Sequence, residues 1–235
     1  MVYILAEKRS RCEMRDVRCD IIQTMKILEV KTLAIPDIKV IRFGKYNDNR
    51  GYFTETFRNS DFQKLDFLKG VRFLQCNEGY SKAGTFRGFH FQWNPYMGKL
   101  VRVMSGHLID IALDIRKGSP TFGKAIAYDM VASSNDDFNE WIWLPPGFGH
   151  GVLLPEDSLI EYFCSGEYSP GCEASISPMA ADIDWSICDT KLKKVFDSIV
   201  PKTKFITEKD KNGFTLAAWL KEKNSDQFIY GKPHP

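Results

Sequence analysis

The strongest constraint on the fold lies between residue 71 and about residue 165, where short alternating apolar runs follow one another with turn residues between them. Within it, LVRVMSGHLIDIALDIR alternates on both sides of Ser105-Gly106. That pattern predicts a hairpin, with Val101 and Val103 before the turn and Leu108 to Ile115 after it. EWIWLPPGFGHGVLLPEDSLIEYFCSGEY repeats the theme as two strands separated by Pro and Gly punctuation. Upstream, KILEVKTLAIPDIKVIRFGKY predicts two more strands around Pro36-Asp37. Short strands at this spacing indicate an all-β antiparallel sandwich or barrel. Helical signals are peripheral. Asn59-Ser60-Asp61 is expected to cap FQKLDFLK, Asp189-Thr190 to cap KLKKVFDSIV, and Thr215 to Lys223 to form a short helix. The expected organisation is one β domain over residues 25–222, with an extension at 1–24 and a tail at 223–235. Met25 reads as a natural start, making 1–24 an extension; an N-terminal helix packed on the domain is the other reading.

Composition narrows the function. Hydrophobic residues are 43% and charged residues 26%, enough apolar material for a full core and too much for a disordered chain. Thirty-two Lys and Arg against thirty Asp and Glu leave a net charge of +2, so no global field draws the protein to nucleic acid or to an acidic membrane. No apolar run reaches the roughly 18 residues of a membrane span, and residues 1–24 turn charged too early for a secretory signal. Cys12, Cys19, Cys76, Cys164, Cys172 and Cys188 are scattered, with no C-x-x-C pair. They read as reduced thiols of a cytoplasmic protein, not as a disulfide framework or a zinc site.

Imidazole chemistry must come from four residues, His90, His107, His150 and His234. His90 closes the densest polar cluster, which runs from Gln75 to Ser81 and from Gly84 to Gln92. On a regular strand Arg87 and His90 would face opposite sides unless Gly88 between them permits a bulge; a tight packing spot is the other reading of that glycine. An Arg in a pocket matches an anion such as a phosphate, although a surface ion pair is the commoner fate of one Arg. His150 sits between Gly149 and Gly151 in a Pro- and Gly-rich loop, where structural and functional readings weigh equally. Tyr162 and Tyr168 flank a turn; such residues usually pack, but a pocket tyrosine facing a base can act as a general acid. A metal-binding cupin would carry His-x-His, and here Phe91 and Gln92 follow His90. No Gly-rich phosphate loop opens a helix either. Neither a metal nor a cofactor is expected.

Taken in order, these segments resemble the dTDP-4-dehydrorhamnose 3,5-epimerase family, the metal-free branch of the cupin-like jelly rolls. The resemblance is carried by Asp48 to Glu55, Gln75 to Gln92, Lys99 to Val103, Gly106 to Arg116, Ser119 to Gly123 and Pro146 to Gly151. Tyr162, the Tyr168 to Pro170 turn and Thr207-Glu208-Lys209-Asp210 complete it, so that it runs from about Met25 to Trp219. Departures are Met97 for a usual Gln, Gly79 for a usual Ser, Ser177 to Ala181 for a usual Asp-Pro, and an inserted helix-like stretch between Trp185 and Asp210.

The resemblance implies a cupin-like double-stranded β-helix (jelly roll) with a few peripheral helices. It implies an isomerase that inverts C3, C5 or both in a nucleotide-linked 4-keto-6-deoxy hexose, most simply dTDP-linked, in deoxysugar biosynthesis. In that reading His90 is the base, Asp210 orients it, Lys99 stabilises the enolate and Tyr162 returns a proton from the opposite face. Arg50 and Arg87 hold the diphosphate; Phe53, Glu55, Gln75 and Asn77 lie near the base and deoxyribose; Tyr168 and His150 line the pocket, with Asp110 behind them. A homodimer is implied, with the Arg50 to Glu55 segment serving the neighbouring subunit. Two rivals remain: a sugar-nucleotide 3,4-ketoisomerase on the same fold, and a non-catalytic nucleotide-sugar-binding module. The single His90 argues against the first, since such isomerases typically pair two histidines on one strand; the full acid–base set argues against the second.

Overall fold

The computed structural model describes residues 25–232; the 1–24 extension, His234, Cys12 and Cys19 lie outside them. Among the described residues are thirteen strands: β1 (Ile27–Thr32), β2 (Lys39–Gly44), β3 (Tyr46–Asp48), β4 (Gly51–Phe53), β5 (Gln75–Ser81), β6 (Thr85–Gln92), β7 (Lys99–Ser105), β8 (His107–Asp114), β9 (Ala125–Val131), β10 (Phe138–Leu144), β11 (Phe148–Leu154), β12 (Ser158–Cys164) and β13 (Glu173–Ser175). They form a six-stranded sheet in the order β1-β2-β10-β7-β12-β5, a five-stranded sheet in the order β13-β6-β11-β8-β9, and a separate β3-β4 ribbon. From β5 onward the chain passes from one sheet to the other at nearly every connection, the path of a jelly roll.

That path corrects two expectations. β7 and β8 do not pair: β7 lies between β10 and β12, and β8 between β11 and β9. Only Gly106 separates them, one residue fewer than the shortest hairpin loops use. With φ of 83° and the Asp157 carbonyl 2.5 Å from where a Cβ would stand, Gly106 turns a corner between the sheets instead. The stretch from Glu140 to Tyr168 holds three strands rather than two, β10 and β12 in the six-stranded sheet and β11 in the other.

Each strand face then has a distinct job. Val40, Val101, Ile142 and Ile160 meet Leu108, Ala112, Ile126 and Val152 between the sheets. The outer face of the five-stranded sheet buries Phe86, Phe89, Ile111 and Leu113 under helix α2 (Thr190–Ile199) and helix α4 (Leu216–Trp219), through Phe196 and Trp219. β8 and β11 are therefore covered on both sides, which is why they read as nearly continuous apolar runs. The outer face of the six-stranded sheet, with Phe43, Leu100, Trp141 and Trp143, lies under Phe57, Phe62, Leu68 and Phe73.

α2 is the inserted stretch, and Asp189 caps it as expected, accepting from the amides of Lys191 and Leu192. Thr215 caps α4 through the Ala218 amide. The cap expected at residues 59–61 is not formed. Arg58 is the N-cap of the four-residue α1 (Asn59–Phe62), with no side-chain cap bond. Asp61 is buried and accepts instead from the Met25 amide (2.7 Å) and Lys64 (2.7 Å).

Candidate active site

The site begins with an irregularity in β6. His90 stands opposite His150 on β11, and Arg87 opposite Val152, so three steps on β6 match two on β11. Gly88 makes this bulge possible: its φ is 133°, and a Cβ there would lie 2.5 Å from the His150 carbonyl and 2.6 Å from Gly151 Cα. Ala112 and Val152, in register with these two rows, belong to the core between the sheets. The bulge therefore puts Arg87 and His90 on the same face of β6, the arrangement that a kink at Gly88 allows.

Two histidine–aspartate pairs occupy this wall. His90 Nε2 lies 2.6 Å from Asp210 Oδ1, and the imidazole keeps a third of its surface open. Asp210 sits on the short helix α3 (Glu208–Lys211), which Thr207 caps by accepting from the Asp210 amide. Burial alone would raise the Asp210 pKa, but bonds from His90, Thr207 and the Gly88 amide outweigh it and hold the carboxyl below its ordinary value. The second pair is deeper: His150 Nε2 meets Asp110 Oδ2 at 2.8 Å, with the imidazole 9% exposed and the carboxylate closed off. Burial lowers the His150 pKa despite Asp110, and the nearby Lys99 and His90 add to the lowering. Asp110 Oδ1 is buried without a hydrogen-bond partner.

The six-stranded sheet supplies the opposite wall. Lys99, Cys164 and Gln75 form one cross-strand row, and Val101, Tyr162 and Asn77 the next. Val101 lies in the core between the sheets, so Tyr162 and Asn77 share its face, as do Lys99 and Gln75 two residues along. Asn77 works to lower the Tyr162 pKa, yet burial dominates and raises it, keeping the phenol protonated. Lys99 makes no hydrogen bond or ion pair among the described residues. Burial lowers its pKa, against the opposing pull of Cys164, Asp110 and Glu173. Facing sheets stand about 10 Å apart, so the imidazole and the phenol belong to opposite walls.

At the rim, Tyr168 donates its amide to Gln75 Oε1 (2.8 Å) and its hydroxyl to Glu173 Oε1 (2.9 Å). Arg87 is exposed at the end of this face and donates to Ser81 Oγ (3.1 and 3.2 Å). Glu173 and Lys209 were not singled out by sequence reasoning. They form an ion pair of 2.6 Å, and Glu173 acts electrostatically on both His90 and Lys99. Their signals were faint: a three-residue strand for one, adjacency to Asp210 for the other.

Three expected residues are not gathered here. Arg50 and Phe53 lie on the β3-β4 ribbon, which follows the Gly44 end of β2, opposite Phe138. Lys99 is opposite Leu144, six residues along β10, or roughly 20 Å away. Arg50 pairs with Asp48 (2.6 Å), Phe53 is 65% exposed, and Glu55 pairs with Arg58 (2.8 Å).

This jelly roll sets a carboxylate-backed imidazole on one sheet and a protonated phenol on the facing sheet, group types that acid–base enzymes use. The model of the dTDP-4-dehydrorhamnose 3,5-epimerase family matches residues 32–218. A dTDP-4-dehydrorhamnose 3,5-epimerase of Sinorhizobium fredii is 37% identical over 176 residues, 73% of this chain and 87% of the relative. Among solved structures, an epimerase from Legionella pneumophila in complex with dTDP-4-keto-L-rhamnose superposes with a TM-score of 0.70 at 28% identity, over 87% of this chain and 99% of that one. A 3'-monoepimerase from Streptomyces bikiniensis in complex with dTDP-quinovose does so at 0.64 and 28%, over 79% and 87%. The chain belongs to the dTDP-4-dehydrorhamnose 3,5-epimerase family, whose members are isomerases.

Proposed function

We propose that this protein epimerises a dTDP-linked 4-keto-6-deoxy hexose, converting the 4-dehydro-6-deoxyglucose to 4-dehydrorhamnose. The observation that carries the reading is the placement of His90 and Tyr162 on opposing sheets with Lys99 beside the tyrosine. Protons at C3 and C5 are acidic because each neighbours the C4 ketone. His90 takes one of them, and Asp210 stabilises the imidazolium that results. Charge moves to the ketone oxygen, where the unpartnered ammonium of Lys99 meets it. Tyr162 then delivers a proton to the other face of the same carbon, and the centre inverts. Arg87 and Lys209 supply positive charge toward a diphosphate, with Gln75, Asn77 and Tyr168 as the wall for the nucleoside.

Arg50, Phe53 and Glu55 serve the site of a second copy in a homodimer. An exposed phenylalanine and arginine on a projecting ribbon fit that role better than solvent. Mixing Arg50→Ala with His90→Ala protein should restore activity in hybrid dimers, each holding one intact site. Cys76, Cys164, Cys172 and Cys188 are free thiols, which favours a reducing cytoplasm. Among the described residues no helix is long and apolar enough to cross a membrane.

NMR in deuterated water with dTDP-, GDP- and CDP-linked 4-keto-6-deoxy sugars tests the assignment. Exchange and inversion at C3 and C5 of the dTDP sugar are expected. Turnover confined to another nucleotide, or migration of the ketone to C3, would replace it.

A further inference from the structure

Gln92 follows His90 by two residues on β6, is 4% exposed, and has no part in the proton transfer described above. Its amide is almost fully used. Nε2 donates to the carbonyls of Glu167 (2.9 Å) and Pro95 (3.0 Å), and Oε1 accepts from the Ser169 amide (3.0 Å). Glu167 and Ser169 are the two neighbours of Tyr168, so one buried amide fastens the chain on both sides of that tyrosine. Tyr168 itself is exposed, and its own amide is held by Gln75 from the opposite sheet.

Ser165 and Gly98 exchange bonds one step upstream: the Gly98 amide donates to Ser165 Oγ (2.7 Å), and the Ser165 amide to the Gly98 carbonyl (2.9 Å). Gly166 packs so closely on the Pro95–Tyr96 turn that a Cβ would lie 2.8 Å from the Tyr96 carbonyl. The segment carrying Tyr168 is thus seated against the 94–98 turn, with Gln92 as the buried pin between the two.

We infer that Gln92 is a positioning residue for nucleotide-sugar binding, acting through Tyr168 rather than on the reacting atoms. The inference rests on the proposed role of Tyr168 as part of the nucleoside wall. A buried amide with three bonds ties the strand that bears the base to the turn that bears the wall. Removing it frees Tyr168 to leave its bound position, and the loss falls on binding.

The test is a double-mutant cycle of Gln92→Met with Tyr168→Ala, read by steady-state kinetics on the dTDP-linked 4-keto sugar and by thermal unfolding. Gln92→Met is expected to raise KM about tenfold while kcat stays within about twofold, because only ground-state binding is disturbed. With Tyr168 already truncated, the same change should raise KM little further. Gln92→Glu is the second variant: it keeps an acceptor for the Ser169 amide but sets an oxygen against two carbonyls, and should reproduce the KM effect if Gln92→Met does not fold. Additive effects, a fall in kcat at constant KM, or a Tyr168→Ala protein with unchanged KM would each overturn the inference. Wild-type protein inactive on this sugar would instead overturn the proposed substrate, a separate outcome.

Discussion

The histidines of the two histidine–aspartate pairs stand directly across from each other on neighbouring strands, one pair shallow and one deep. His90–Asp210 keeps a third of the imidazole open; His150–Asp110 is deeper, its carboxylate fully enclosed. Depth changes what the same two side chains can do. At the cavity wall, an imidazole backed by a carboxylate can accept a proton from a ligand and hold it. Below the wall, burial opposes any charge on His150, so that imidazole is poorly suited to hold a proton. A histidine beside an aspartate is therefore not by itself a base; access and solvation decide.

The sharpest way to break this comparison is to delete each histidine in turn. His90→Ala should abolish solvent deuterium exchange at C3 and C5, a loss of about 10²–10⁴-fold or more, with modest change in stability. Asp210→Asn should leave substrate binding nearly intact while slowing exchange by about 10²-fold or more, since it removes only the orienting partner. His150→Ala should do the reverse in kind. It leaves the buried Asp110 side chain without its hydrogen-bond partner, costing about 1–3 kcal/mol in denaturant unfolding. Equal stability losses in His90→Ala and His150→Ala would erase the distinction.

Smaller effects follow from pH. His150 has a lowered pKa in the folded state, so below its ordinary value the unfolded chain binds a proton that the folded one refuses. Stability should thus fall as pH drops below about 6.5, by at most about 1.4 kcal/mol per pH unit from this group. His150→Gln should flatten that slope, as unfolding titrations would show. On the alkaline side, Lys99 is lowered and Tyr162 raised. The alkaline limb of kcat/KM should therefore follow Lys99 and lie below the ordinary lysine value. Lys99→Arg should remove that limb wherever activity survives.

Much of the strand grammar was legible in the sequence, because alternation reports which residues share a face. It does not report which sheet a strand joins, so β7 and β8 read as a hairpin when one glycine carries the chain between sheets. The Gly88 kink was legible because parity alone would have split Arg87 from His90. The bond between His90 and Asp210 spans 120 positions, and no spacing rule reaches that far; the family resemblance supplied it. Glu173 escaped notice because a three-residue strand carries no periodicity, and Gln92 because a buried amide looks like any glutamine until its partners are seen. The Arg50 to Glu55 motif was legible as a motif, but a projecting ribbon has a role only in an assembly.

The central claim is that acid and base act from opposite sheets on one carbon. Tyr162→Phe tests it most directly when NMR in deuterated water follows exchange and inversion at the same centre. Continued exchange at C3 and C5 with inversion lost is the expected result. Inversion at the wild-type rate would contradict the account and assign the second proton to another group.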